Sequence, residues 1–172
     1  MPKYYRDEMY GIMEALDNVL HFETAEAHCD IPCGIYDPHL AQVAAHTVVR
    51  MDMLIADLAK SNDMTPDGRN KMIRYTMIKE QHAELCKHEV RIIWGDYFKP
   101  EHAQANPELH TLVWDIMKAA SKAKQGTSMA DAEALLEKVN RFAEIFWKTK
   151  NIQTARVKAP YPTEKDIVVP KL

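Results

Sequence analysis

The chain has no apolar stretch that could cross a membrane, because Lys, Arg, Asp or Glu interrupts every hydrophobic run well short of the ~20 residues a spanning helix needs. Cysteine is scarce. Three thiols, Cys29, Cys33 and Cys86, are odd in number and unevenly placed, so they form no disulfide framework. They point instead to a reducing compartment, the cytoplasm, and to metal or redox use. Net charge is also small: 22 Lys and Arg against 25 Asp and Glu leave −3. A nucleic-acid partner is thereby excluded, since duplex binding calls for a pronounced basic surface. No internal repeat is present. No glutamate has a histidine three residues later, which removes the Glu-x-x-His pattern by which ferritin-like bundles hold two irons. What is left is the profile of one globular domain: 172 residues, 47% hydrophobic and 27% charged.

Charge is unevenly divided along the chain. Residues 1–27 carry two basic and six acidic side chains, a net of −4, which leaves +1 for the remainder. This leader lacks the continuous apolar region of a secretory signal. It has a helical rhythm all the same, with Met9, Ile12, Met13, Leu16, Val19 and Leu20 at three- and four-residue spacing. The pattern predicts an amphipathic helix ending near Phe22. The small residues of Ala25-Glu26-Ala27 suit a protease that cuts after Ala27, so residues 1–27 read as a helical propeptide and His28 as a new N-terminus with a free amine.

Directly behind that cut lies His28-Cys29-Asp30-Ile31-Pro32-Cys33-Gly34-Ile35-Tyr36-Asp37-Pro38. Proline fixes one backbone angle and glycine permits another, so the segment can wrap around a single ion. The new amine, the His28 imidazole, the Cys29 backbone nitrogen and the Cys29 and Cys33 thiolates all fall within six residues. Two nitrogens and two sulfurs in a plane, with an axial imidazole, suit nickel or copper(II) better than tetrahedral zinc. Cys86 differs, lying mid-helix on an apolar side as a buried, inert thiol.

Four further helices follow. Asp37-Pro38 opens the first, with a stripe of Leu40, Val43, Thr47, Met51, Leu54, Ile55 and Leu58. Thr65-Pro66 opens the second, which runs to about Phe98 before Pro100 and places Tyr75, Ile78, Leu85, Cys86, Ile92 and Ile93 inward. Asn106-Pro107 starts the third and Gly126 ends it; Ser128 starts the fourth, whose stripe includes Leu135, Leu136, Val139, Phe142, Phe146 and Trp147. Short connections favour antiparallel neighbours, so residues 39–150 are expected to form an up-down-up-down four-helix bundle, an all-α fold. From Ile152 the periodicity ends. Pro160, Pro162 and Pro170 make residues 151–172 an extended tail, either a strap across a neighbour or a loose end.

The segment 28–38 resembles the N-terminal hook H-C-x-x-P-C-G-x-Y-D-P of the nickel-containing superoxide dismutases, and every fixed position is present. The resemblance continues through Ile78-Lys79-Glu80-Gln81, Trp94-Gly95-Asp96-Tyr97-Phe98-Lys99-Pro100, Pro107-Glu108-Leu109-His110 and Phe146-Trp147-Lys148-Thr149-Lys150. It implies a four-helix-bundle subunit, usually in a homohexamer, that disproportionates superoxide with one nickel ion per subunit. The implied ligands are His28, Cys29 and Cys33. Tyr36 and Tyr97 correspond to two tyrosines whose hydroxyls lie near the open side of the metal. Asp30 would orient the hook amides, and Pro32 would hold the turn. There are two departures. The family's glutamate on the first bundle helix and arginine on the second, which hydrogen-bond to the axial imidazole, align with Ala44 and His82. His82 is therefore the candidate to orient the His28 ring, and such outer partners tune a metal site. A carrier that binds nickel or copper through the same hook without turnover is the competing reading.

Overall fold

A computed structural model describes residues 34–172. The leader helix, the cut after Ala27 and the hook residues His28, Cys29, Asp30, Pro32 and Cys33 lie outside the described residues.

Helix α1 spans His39–Ser61 and opens where the Asp37 carboxylate accepts the His39 backbone N–H at 2.7 Å. A left-handed Asn62 closes it (φ 48°). Helix α2, Pro66–Ile92, starts with proline in the first turn and the Thr65 hydroxyl accepting from the Gly68 amide at 3.1 Å. The start of α2 follows from the usual N-cap chemistry, whereas the N-cap of α1, Pro38, has no capping side chain. The second helix does not run unbroken to Phe98: it passes into a π-helical turn, Ile93–Tyr97, closed by the Phe98 amide on the Ile93 carbonyl at 3.2 Å. A short helix, α3 (Pro100–Ala105), precedes α4 (Leu109–Gln125). Helix α5, Met129–Thr149, begins at Ser128, whose hydroxyl accepts the Asp131 amide. Helix α1 packs on α2 and α5, and α4 packs on α5 and α2, which closes the four-helix ring.

The core explains why part of the expected inward face is displaced. Beyond Gly68 in its first turn, the buried positions on α2 are Lys79, Ala83, Cys86 and Val90, continued by Ile93, at four- and three-residue steps. Leu85, beside Cys86, is 40% exposed, and Leu40 on α1 is 57% exposed. Small residues share the core, including Ala41, Ala44 and Ala45 on α1. The bulk comes from α5, where Leu135, Phe142 and Phe146 are fully buried, each contributing about 1.5–3 kcal/mol. Lys79 is buried too, with its ammonium 3.0 Å from the equally buried Asp52 carboxylate and donating to the Gly126 carbonyl.

Residues 151–172 are not a structureless tail but carry a hairpin. Strands β1 (Thr154–Lys158) and β2 (Asp166–Pro170) pair antiparallel, Arg156 opposite Val168. The hairpin fastens onto its own bundle. The Gln42 amide donates to the Val168 carbonyl at 3.1 Å and accepts its N–H at 2.8 Å, which serves the strand as a further partner would. Asn140 donates to the Asp166 carbonyl, and Arg156 pairs with Glu137 and Glu144. His46, buried on α1, lies 2.9 Å from the Thr163 hydroxyl through Nδ1, with Tyr161 edge-on to its ring.

Burial pushes the His46 imidazole below its ordinary range, and the Asp166 backbone carbonyl offsets this only in part. A lowered folded-state value means that the unfolded chain binds protons more readily. Stability is then complete above the ordinary value of about 6.5 and falls as pH drops through it, with a slope approaching ~1.4 kcal/mol per pH unit. Thermal melts of the wild type and His46→Asn between neutral and mildly acidic pH check this. The variant is expected to lose that part of the slope, and equal slopes would refute the assignment.

Candidate active site

Two tyrosines distant in sequence meet where the chain enters α1 and where α2 ends. Gly34, which follows the second hook cysteine, has φ +72°, a conformation that favours glycine. Two residues later Tyr36 packs against Tyr97, ring centroids 5.6 Å apart. Tyr97 follows Ile93 by four residues and so continues the inward register of α2, while Lys99-Pro100 turns the chain away immediately afterwards. A π-helical turn at this point is of a kind often found at functional sites.

Its surroundings hold the Tyr97 ring firmly. Phe146 lies at 4.7 Å, Phe98 at 5.3 Å, and the His102 ring stacks at 5.6 Å. The Lys150 ammonium sits 5.1 Å over the same ring and 5.3 Å over Phe146, a cation–π arrangement that keeps positive charge beside the tyrosine pair. The phenol oxygen is 2.8 Å from the Thr149 hydroxyl.

A family model for nickel-containing superoxide dismutases matches residues 23–150. The chain belongs to the nickel-containing superoxide dismutase family. The nickel superoxide dismutase of Streptomyces seoulensis is 44% identical over 124 residues, 72% of this chain and 88% of the relative. That of Streptomyces coelicolor is 42% identical over 127 residues, 74% and 91%. Among solved structures, a nickel-containing superoxide dismutase with ligation corresponding to the oxidized state superposes with TM-score 0.64 at 43% identity, covering 72% of this chain and 99% of that one. A native nickel superoxide dismutase gives 0.62 at 42% identity with the same coverage. The C-terminal hairpin lies beyond the stretch that the nickel superoxide dismutase family model matches.

Of the residues singled out from sequence, Tyr36 and Tyr97 are brought together. His82 is half-buried on α2, and its Nδ1 donates to the Ile78 carbonyl one turn back at 2.9 Å, so only Nε2 remains for another partner. Ala44 is in the hydrophobic core, 1% exposed. Cys86 is fully buried, and burial, aided by Glu89, pushes its thiol up to about 12. It is therefore a neutral packing group at physiological pH. Among the described residues, no group of three His, Cys, Asp or Glu is placed to hold a metal ion. Thr149, Lys150 and His102 were missed as neighbours of Tyr97. Thr149 and Lys150 stand in a motif the sequence displays, but only folding brings the end of α5 against the end of α2.

Proposed function

We propose that this protein disproportionates superoxide to oxygen and hydrogen peroxide at a nickel ion held by an N-terminal hook. The observation that carries this reading is the family match over 23–150, a span that takes in every hook position. The donor set fits the metal. With Cys86 held neutral by burial, the proposed thiolates are Cys29 and Cys33, and anionic sulfur suits nickel that must be oxidised. The His28 amine and imidazole and the Cys29 backbone nitrogen complete the donors, which requires removal of residues 1–27 by a processing protease. When bound, nickel supplies the one-electron chemistry by alternating between its divalent and trivalent states.

The chain's own residues supply access and charge. Tyr36 and Tyr97 restrict approach to small molecules and order water, while Lys150 beside Tyr97 favours an anion. Asp30 and Pro32 shape the hook, and His82 orients the His28 ring through its remaining nitrogen. Residues 28–38 act as the hook on a 39–150 bundle. The subunits assemble as a homohexamer in the cytoplasm. Exposed apolar side chains on α2, Ile73, Met77 and Leu85, support the assembly.

The test is superoxide decay measured by pulse radiolysis on protein made with its processing enzyme. The rate is expected to scale with tightly held nickel and to survive dialysis against a chelator. Nickel that exchanges freely, with no acceleration of decay, would replace this reading with that of a carrier.

A further inference from the structure

The hydroxyl network at Tyr97 has a direction. The Thr149 oxygen lies 2.7 Å from the Phe146 carbonyl and 2.8 Å from the Tyr97 oxygen. A carbonyl can only accept, and a threonine hydroxyl has one proton. That proton goes to Phe146, so the Thr149 oxygen must accept from Tyr97. Phe146 and Thr149 belong to the last turn of α5, where backbone carbonyls gather negative potential that favours such donation. The ring cannot readily turn away, since Phe98, His102 and Phe146 enclose it and Lys150 lies over one face.

We infer that Thr149 is a positioning residue which commits the Tyr97 proton to α5, so that toward water and small molecules the Tyr97 oxygen acts as a hydrogen-bond acceptor only. The inference rests on the proposed dismutase reading for its functional meaning, but the bond direction stands on geometry alone. Its chemical consequence is selective. Superoxide anion carries no proton to donate, whereas water and hydrogen peroxide do. Tyr97 therefore orders water or holds a protonated product, and it does not bind superoxide by donation. The two protons needed to form peroxide come from elsewhere.

Thr149→Val removes both the acceptor and the donor at nearly constant shape, and Thr149→Ser keeps both. Tyr97→Phe identifies the Tyr97 signal in the Raman doublet of the tyrosine rings, which differs between a phenol that donates and one that only accepts. In the nickel-loaded protein, Tyr97 is expected to show donor character, to lose it in Thr149→Val and to retain it in Thr149→Ser. Turnover per nickel is expected to fall about fivefold in Thr149→Val, the rate equivalent of one hydrogen bond, and to recover in Thr149→Ser. Acceptor-only character in the wild type, or a Thr149→Val spectrum identical to it, would overturn the assignment. An altered spectrum with unchanged turnover would overturn the positioning role. If the wild type showed no dismutation, the proposed function would fail, while the Raman comparison would still decide the bond direction.

Discussion

Cys29→Ser and Cys33→Ser are each expected to abolish nickel retention and superoxide dismutation together, while Cys86→Ala keeps both. A serine hydroxyl stays protonated at neutral pH and is a hard oxygen donor, so it replaces neither the charge nor the softness of a thiolate. Cys86 has no such part to play. Its thiol is pushed up to about 12 by burial and lies in the core of the bundle with Ala83 and Val90. Truncation there costs packing, about 1–2 kcal/mol. Metal analysis and activity per subunit on the three variants check the assignment. Loss of nickel from Cys86→Ala, with retention in Cys33→Ser, would reverse it.

The second large effect concerns stability. Lys79→Met is expected to destabilise the fold by about 3–5 kcal/mol, the usual cost of leaving one member of a buried ion pair alone. For a chain of this size that lowers the melting temperature on the order of 10 °C. Lys79 is 1% exposed and Asp52 0% at their side chains; Asp52 binds the ammonium through Oδ1, and its Oδ2 has no hydrogen-bond partner among the described residues. Burial already pushes the Asp52 carboxyl up, against the pull of the Lys79 ammonium. Without that ammonium the rise is larger. A folded-state value above the unfolded one favours the fold at low pH, so the variant should regain stability as pH falls. Asp52→Leu added to Lys79→Met is expected to recover most of the loss, since an apolar pair of similar volume is often neutral. A Lys79→Met protein as stable as the wild type would show that the pair does not matter.

These two cases differ in how directly they could be read from the chain. The hook is local: its donors, proline and glycine lie within a few consecutive residues, so their chemistry is visible without a fold. The helix starts at Thr65-Pro66 and Ser128 are legible for the same reason, because a capping side chain acts only three residues away. The inward face of α2 was not. Lys79 and Ala83 do not look like core residues, and Leu85 does, yet the buried register takes the first two because Asp52 on α1 and the Gly126 carbonyl receive the ammonium. The C-terminal hairpin was hidden similarly. Its anchors, Gln42, His46 and Asn140, are polar residues on helices far back in the chain, and a proline-rich segment gives no periodicity to announce them. Tyr36 and Tyr97 could each be marked as functional from family resemblance, but their contact at 5.6 Å and the dependence of Tyr97 on Thr149 required the packed bundle.

The proposed five-donor metal site requires that the chain be cut after Ala27. An amide-linked His28 has no amine to offer, so nickel binding by the five proposed donors requires His28 to be the first residue. The most direct measurement is the intact mass of the active protein, isolated under native conditions from cells that carry its processing enzyme, together with its nickel content. The expected result is a chain that begins at His28 and carries one nickel ion per subunit. Active, nickel-loaded protein that still begins at Met1 would contradict it.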